Sequence, residues 1–152
     1  MTNVARSVSW SPWNRFEFLK DKSKGKCPGV YEFRCLGKDG KPLAIARTRG
    51  VDHAGLIYIG RSLGRLRLRI SSFYRHVSGK SRGGHTAARH YLCWKFSRVF
   101  PLKRLEVHYA EMSSNRAKQA EKDLIHAYLR RYLDLPPLNF QLPATLEPHF
   151  KR

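Results

Sequence analysis

The sequence predicts a compact domain of the α/β or α+β class, and three observations support this prediction. Segments rich in strand-forming residues alternate along the chain with segments of helical periodicity. The 152 residues are 41% hydrophobic and 12% aromatic, which is sufficient for a buried core in one domain and argues against global disorder. We find no internal repeat and no low-complexity tract that would divide the chain.

The first 26 residues are predicted to form a basic, aromatic extension that precedes a single domain at 27–152. This extension carries four aromatic residues before the lysine-rich stretch KDKSKGK, namely Trp10, Trp13, Phe16 and Phe18. We expect these rings to pack on the domain, and stacking on nucleic acid bases is the alternative.

Four segments are predicted to be strands because they are rich in β-branched, aromatic and alternating apolar residues. They are GVYEFRCL at 29–36, LAIARTR at 43–49, GLIYIG at 55–60 and RLEVHYAEM at 104–112. The sequence GKDGKP between the first two is typical of a hairpin turn, so LAIARTR is expected to return along the first strand.

Two segments have clear helical signals. The segment TAARHYLCWKFSRVF at 86–100 has apolar residues at helical spacing, with Thr86 as its cap. The segment SSNRAKQAEKDLIHAYLRRYL at 113–133 starts with serine caps and is expected to stop at Pro136 and Pro137.

The Leu-Arg alternation in GRLRLRISSFYRHV fits either a strand or a helix. A helix would align one apolar stripe and one polar stripe, which consist of Leu63, Leu66, Ile70, Phe73, Val77 and of Arg65, Arg69, Ser72, His76. Both stripes continue after the alternation ends, so we predict a helix. It is expected to begin just after Gly60 and to present its free N-terminal amides as a phosphate seat.

The charge balance is the dominant feature of the composition. Thirty Lys and Arg against eleven Asp and Glu give a net charge of +19, which requires a polyanionic partner. Nucleic acid is the first candidate and an anionic membrane surface the second. We see no apolar run of membrane-spanning length and no apolar signal core, and three unpaired cysteines fit a reduced, cytoplasmic interior without a zinc site.

Glu121 is the second unusual feature. On the predicted last helix it shares a side with Ala117, Leu124 and Tyr128. A carboxylate on an apolar stripe is costly unless something pairs with it. The partner is either one of the many arginines or a metal ion that bridges the carboxylate to a phosphate.

Several residues that are unremarkable singly occur in a distinctive order. Tyr31 and Tyr58 alone would be strand tyrosines with rim hydroxyls, and Asn139 alone would cap a turn. Together, Gly29-Val30-Tyr31, Tyr58-Ile59-Gly60, a helical arginine, a helical glutamate and a late asparagine form an ordered set. With this set, the chain resembles the GIY-YIG nuclease family over about residues 28–141, and RISSFY is similar to the corresponding helix of its repair members.

The resemblance implies a small three-stranded, mainly antiparallel sheet flanked by helices, with one Mg²⁺ or Mn²⁺ ion and phosphodiester hydrolysis. It also implies catalytic roles for five matching residues, which are Tyr31, Tyr58, Arg69 (with Arg65 as the alternative), Glu121 as metal ligand and Asn139. Arg61, directly after the second motif, is expected to hold the adjacent phosphate.

Three departures from the family pattern stand out. Val30 replaces isoleucine in the first motif. The long spacing through KDGKPLAIARTRGVDHA at 38–54 resembles insertions in restriction-enzyme members. Phe73 stands where the family often has Tyr or His, so Tyr74 or His76 takes that role or the role is absent.

We expect Arg69 to stabilise the phosphate and a tyrosine to accept the proton of the attacking water. Clustered arginine and metal charge would lower a tyrosine pKa from about 10 towards a usable value. Tyr31 is predicted to be the base and Tyr58 to position water or phosphate, and the reverse assignment is open.

The other cations are expected to grip the duplex through its phosphates. The predicted DNA-binding residues are Arg47, Arg49, Arg65, Arg67, Lys80, Arg82, His85 and Arg89. The segment SGKSRGGHTAARH at 78–90 either enters a groove or is a solvated linker.

The predicted function is a metal-dependent DNA endonuclease. With little chain after residue 141 for a separate recognition domain, we expect a compact restriction-type enzyme that cuts duplex DNA as a homodimer. The alternatives are a non-catalytic basic nucleic-acid-binding protein and a nuclease for single-stranded or branched DNA.

Overall fold

The fold is built on a three-stranded antiparallel sheet, which a computed structural model shows with residues 8–140 of the chain described. The strands are β1 (Gly29–Cys35), β2 (Ile45–Ala46), β3 (Val51–Asp52), β4 (Leu56–Ser62) and β5 (Leu105–Glu111). The α-helices are α1 (Leu66–Val77), α2 (Thr86–Cys93) and α3 (Ser114–Tyr132). The predicted mixed class of strands and helices is therefore confirmed.

The central strand of the sheet is β1, because the strand order is β4-β1-β5. Its register sets Tyr31 opposite Gly60 on β4, and Phe33 opposite Tyr58. A Cβ atom on Gly60 would lie 2.5 Å from Cε1 of Tyr58 and 2.7 Å from Cζ of Tyr31. Only glycine therefore leaves room for the two tyrosine rings on this face of the sheet.

The excursion between β1 and β4 forms a turn and a short two-stranded ribbon. The predicted return strand at 43–49 was too long, since only Ile45–Ala46 pairs, and it pairs with β3. The chain leaves this ribbon at the buried Asp52, which accepts N–H groups of Ala54 and Leu56 and the Tyr128 hydroxyl. These local bonds to Asp52 turn the chain into β4.

The Leu-Arg segment is a helix, as predicted, and Leu66, Ile70 and Phe73 are its buried side. The predicted start just after Gly60 is wrong, because β4 continues through Ser62 and α1 begins at Leu66. Leu63, predicted on the apolar stripe, precedes the helix and is 44% exposed.

The predicted phosphate seat at the start of α1 is also wrong. The amide of Leu66 donates to the carbonyl of Cys27 at 3.0 Å, and that of Arg67 donates to the carbonyl of Gly25 at 2.8 Å. These two N-terminal amides already have protein partners and do not face a free ligand site.

The other two helices are shorter than predicted. Helix α2 ends at Cys93 because Lys95 turns left-handed with φ 53°, and His85 rather than Thr86 is its N-cap residue. The Tyr91 hydroxyl then donates to the carbonyl of Phe100 at 2.6 Å, which fastens the chain after the helix. Helix α3 is capped by Ser113, as expected, but it ends before a left-handed Leu133 and not at the prolines.

Helices cover both faces of the sheet. On one face, Tyr31 and Phe33 of β1 share a core with Phe73 of α1 and Tyr91 of α2. On the other face, α3 packs through two smaller clusters, which include Ile59 with Ile125 and Tyr128, and Val30 with Ala117. The site described below lies where α1 and α3 approach the same end of β4.

Residues 8–19 pack on the sheet and its core, as expected for the aromatic side chains of the extension, whereas residues 20–24 are exposed. Phe16 and Phe18 are buried in the main core. The chain also pairs with the outer edge of β5, where Asn14 bridges Val107 and the Ser11 amide donates to the carbonyl of Tyr109.

Two further observations concern membrane-spanning helices and the cysteines. Within residues 8–140, no helix combines the length and apolar character needed to cross a bilayer. Cys27, Cys35 and Cys93 carry free thiols.

Candidate active site

A cavity of about 400 Å³ lies at the end of β4, between α1 and α3. Its lining residues are Tyr58, Arg61, Ser62, Leu63, Arg69 and Glu121. Four of these were predicted as site residues, and they come from β4, α1 and α3. The fold therefore brings a phenol, two guanidinium groups and a carboxylate to one cavity.

Glu121 forms an ion pair with Arg61 across this cavity. Nη1 of Arg61 lies 2.7 Å from Oε2 of Glu121, and the two side chains are 39% and 17% exposed. Burial raises the pKa of Glu121, while the charges of Arg61 and Arg69 oppose that rise. Sequence analysis gave either an arginine or a metal ion as the partner of this carboxylate, and the structure shows the arginine.

The two motif tyrosines lie next to each other but differ in access. Their ring centroids are 5.9 Å apart. Tyr58 lines the cavity, whereas Tyr31 is fully buried behind it. Burial raises the pKa of both hydroxyls, and the charge of Arg69 only partly offsets this. Desolvation therefore outweighs the arginine charge, and the arginines alone do not lower either tyrosine pKa.

His85 is the partner of the buried tyrosine. Its Nε2 lies 2.8 Å from the Tyr31 hydroxyl, and only 2% of the residue is exposed. The prediction that His85 contacts DNA is therefore wrong, since DNA cannot reach a side chain enclosed among Tyr31, Tyr58 and Phe73.

The protonation of His85 follows from its surroundings. Burial and the nearby Arg69 charge lower the pKa of His85 to about 3, so the ring is neutral at pH 7. A neutral imidazole can accept a hydrogen bond from the Tyr31 hydroxyl at Nε2 if Nδ1 carries the ring hydrogen. Within the described residues, Nδ1 has no hydrogen-bond partner.

Arg69 is held at the cavity by the loop before α2. Its Nη1 donates to the carbonyl of Gly84 at 2.9 Å. Arg65, the alternative for the catalytic arginine, is the N-cap residue of α1 and does not line the cavity. The geometry thus favours Arg69 over Arg65.

Tyr74 and His76 were considered for the role that the family often gives to a Tyr or His at position 73, and neither lines the cavity. Phe73 is fully buried, and the Tyr74 ring packs on Phe16 at 5.0 Å. His76, predicted as a catalytic residue, is 8% exposed on the buried side of α1 and is not part of the cavity wall. We therefore do not retain His76, because the helical twist turns it towards the core.

Asn139 acts on the strand and not on the cavity. Its side chain accepts the Ile59 amide at 2.9 Å and donates to the Ile59 carbonyl at 2.8 Å, while the Leu138 amide donates to the carbonyl of Ile57. The segment covers the outer edge of β4 and fixes the strand that carries Tyr58. Asn139 is therefore a positioning residue.

Some predicted DNA-binding cations hold the protein together instead. The Arg47 side chain is 10% exposed and pairs with Asp134 at 2.8 Å, and it also donates to the Leu135 carbonyl. Arg67 donates to the carbonyls of Phe18, Leu19 and Asp21, which anchors residues 18–21 to α1. The excess positive charge led to the assignment of these two arginines to DNA. Their partners lie far away in the sequence, so no local pattern indicated that they bind within the protein.

The remaining predicted contacts stay available on the surface. The exposed residues of this set are Arg49, Arg65, Lys80, Arg82 and Arg89. Arg49 also donates to the carbonyl of Arg130 at 3.3 Å.

The donor set fits only one kind of metal site. Within residues 8–140, no three His, Cys, Asp or Glu side chains form a group that could enclose an ion. Glu121 is the carboxylate in the cavity wall. Mg²⁺ is commonly bound by one or two carboxylates, with water and substrate phosphate completing its shell. A hard divalent ion that is shared with the substrate therefore fits these residues, whereas an all-protein site does not.

Comparison of the chain with family models, with curated proteins and with solved structures finds no match in any of the three.

Proposed function

We propose that the chain is a metal-dependent endonuclease that hydrolyses phosphodiester bonds in DNA, with a fold of the GIY-YIG type. The observation that carries this proposal is the meeting of Tyr58, Arg69 and Glu121 at one cavity, although they come from separate segments. The net charge of +19 supports a polyanionic substrate.

Each residue has a distinct task in the proposed reaction. Arg69, fixed by the Gly84 carbonyl, donates hydrogen bonds to the scissile phosphate and stabilises the charge that develops on it. Glu121 would hold a divalent ion, whose remaining ligands would come from water and the substrate phosphate. When bound, such an ion supplies Lewis-acid stabilisation of phosphate and leaving oxygen.

Tyr58 is the tyrosine that contacts the attacking water, because it lines the cavity. Burial and the Glu121 charge raise the pKa of Tyr58, and the charges of Arg69 and Arg61 offset this only in part. A divalent ion that neutralises Glu121 would therefore favour loss of the Tyr58 proton. Tyr31 lies behind it and is oriented by His85. This assignment reverses the roles predicted for the two tyrosines.

The substrate is proposed to be duplex DNA, cut at specific sites by a homodimer in the cytoplasm. The inserted segment between the two motifs, which resembles that of restriction-enzyme members, supports this part of the proposal. A homodimer would place one cavity on each strand of the duplex.

A non-catalytic nucleic-acid-binding protein is the second candidate, and one observation favours it. The Glu121 carboxylate is already compensated by Arg61, so a purely structural ion pair would also account for it. Plasmid cleavage separates the two candidates.

The test incubates supercoiled plasmid and labelled single strands with Mg²⁺, with Mn²⁺ and with EDTA. The variant is Glu121→Gln, and Glu106→Gln is its matched control because Glu106 also pairs with an arginine, Arg34, at 2.7 Å. We expect the wild type and Glu106→Gln to cut with metal, and Glu121→Gln to be inactive. Binding without cleavage in every metal condition would favour the second candidate, and cutting by Glu121→Gln would exclude Glu121 as the metal ligand.

A further inference from the structure

Arg61 occupies the carboxylate that the proposed function assigns to the divalent ion. Its Nη1 lies 2.7 Å from Oε2 of Glu121 and both groups line the cavity. A divalent ion bound to this carboxylate would lie close to the Arg61 guanidinium and be repelled by its positive charge. The ion pair therefore opposes metal binding at Glu121 for as long as Arg61 stays in place.

We propose that Arg61 is an exchangeable counter-ion of Glu121, which leaves the carboxylate when a divalent ion binds and then binds the substrate phosphate. This inference rests on the proposed function and adds a coupling between the metal and DNA. Arg61 neutralises Glu121 in the free protein and becomes a DNA ligand in the loaded protein.

The strength of the Arg61 contact is compatible with exchange. Within the described residues, Glu121 accepts one hydrogen bond, from Nη1 of Arg61. By contrast, Arg34 places both Nε and Nη2 on Oε2 of Glu106, and these two side chains are only 21% and 14% exposed. The Arg61 side chain is 39% exposed, so its head group can turn into solvent without leaving an enclosed core.

The backbone of Arg61 stays fixed during such an exchange. Arg61 is part of β4 and pairs with Val30 on the central strand. Only the flexible side chain has to move, and its reach keeps the guanidinium at the cavity. Arg69 remains anchored to the Gly84 carbonyl, so the phosphate would meet two arginines.

Replacement of Arg61 by a divalent ion at Glu121 would change the net charge of the cavity. Without an ion, the Glu121 charge cancels that of Arg61, and Arg69 provides the net positive charge. A bound divalent ion would neutralise Glu121 and release Arg61, which raises the positive charge that faces a phosphate. Metal and DNA would then strengthen one another's binding, because a coupling between two ligands acts equally in both directions.

The alternative is that Arg61 simply positions Glu121, and the two ideas predict opposite effects of removing it. If Arg61 competes with the ion, Arg61→Met binds Mn²⁺ more tightly than the wild type in the absence of DNA, by about tenfold. If Arg61 supports the site, the same variant binds Mn²⁺ equally or more weakly.

The experiment titrates Mn²⁺ into the DNA-free full chain and follows free Mn²⁺ by electron paramagnetic resonance. Four proteins are compared with the wild type, namely Arg61→Met, Arg61→Lys, Arg34→Met and Glu121→Gln. The affinity of each protein for a short duplex is then measured by fluorescence anisotropy with and without Mn²⁺, and gels confirm that the duplex is intact. Circular dichroism verifies that each variant is folded.

We expect Arg61→Met to bind Mn²⁺ more tightly and to lose most of the gain in DNA affinity that Mn²⁺ gives the wild type. Arg61→Lys, which keeps a cation beside Glu121, and Arg34→Met should bind Mn²⁺ like the wild type. Equal or weaker Mn²⁺ binding by Arg61→Met overturns the inference even if Glu121→Gln abolishes binding, and the proposed metal site then still stands. If Glu121→Gln binds Mn²⁺ like the wild type, the metal site and the inference both fail.

Discussion

The Tyr31 hydroxyl lies 2.8 Å from Nε2 of His85, so the central strand of the sheet and the residue before α2 share a buried hydrogen bond. The bond lies directly behind Tyr58, the tyrosine of the cavity wall. It links the sheet to the loop whose Gly84 carbonyl holds Arg69. The orientation of the cavity side chains Tyr58 and Arg69 therefore depends on residues that lie outside the cavity wall.

Burial of His85 predicts a loss of stability in acid. Its pKa is about 3 in the folded protein, against about 6.5 when unfolded. Between these values only the unfolded chain takes up the proton, so stability falls as pH drops, by about 1.4 kcal/mol per pH unit for this group. At pH 5, the proton taken up by the unfolded chain lowers the free energy of unfolding by about 2 kcal/mol relative to neutral pH.

Urea unfolding between pH 6.5 and 4.5 measures this dependence. The variant His85→Asn should give a slope against pH that is smaller by about one proton than that of the wild type. Tyr31→Phe keeps the imidazole buried beside Arg69 and His76 and should retain the wild-type slope. Equal slopes for the wild type and His85→Asn would show that the imidazole is not buried in its neutral form.

The two tyrosines should differ in their effect on cleavage. Tyr58→Phe removes the hydroxyl in the cavity, and loss of a group that assists proton transfer typically costs about 10²-fold or more in rate. Tyr31→Phe leaves the cavity wall intact and should cost less. Single-turnover cleavage of a saturated duplex measures both, and a larger loss for Tyr31→Phe would return the base role to Tyr31.

Arg69→Ala should abolish cleavage while reducing DNA affinity only modestly. Arg69 lines the cavity, where the proposed function has it donate to the reacting phosphate, whereas the many exposed cations on the surface would share the binding of DNA. Arg65→Ala is the matched control from the same helix start, and it should weaken binding slightly without slowing the turnover of bound DNA. Anisotropy and single-turnover rates separate the two effects. A collapse of affinity at unchanged turnover would contradict a catalytic role for Arg69.

Gly60→Ala should destabilise the fold. The added methyl group would meet the rings of Tyr58 and Tyr31 at 2.5 and 2.7 Å, and overpacking of this kind costs about 1–3 kcal/mol. Gly64→Ala is the control, since nothing lies within 4 Å of its added Cβ. Urea unfolding at pH 7 compares them, and equal stability of the two variants would refute the steric role of Gly60.

The sequence was sufficient to predict the elements whose apolar residues repeat regularly. Leu66, Ile70 and Phe73 identified α1 as a helix, because a strand would have buried a different set. The start of α1 was not predictable in this way. The amides of its first turn are satisfied by Cys27 and Gly25, and no local signal marks these distant carbonyls.

The candidate site was predictable where side-chain chemistry was unusual for its position. Glu121 stood out as a carboxylate on an apolar helix side, and the structure places it in the cavity. His85 did not stand out, because its burial depends on a tyrosine 54 positions away in the chain. Arg47 has no sequence feature that distinguishes it from a surface cation, but in the structure it is enclosed by Asp134 and the end of α3.

The covering of both outer strands restricts how this protein can associate. Ser11 and Asn14 bond to Val107 and Tyr109 of β5, while Leu138 and Asn139 bond to Ile57 and Ile59 of β4, so the chain itself covers part of each outer edge. Uncovered edges invite strand addition by a neighbouring molecule. The homodimer of the proposed function would therefore have to form through helices or loops. A substitution that loosens either flanking segment would expose strand backbone and promote aggregation.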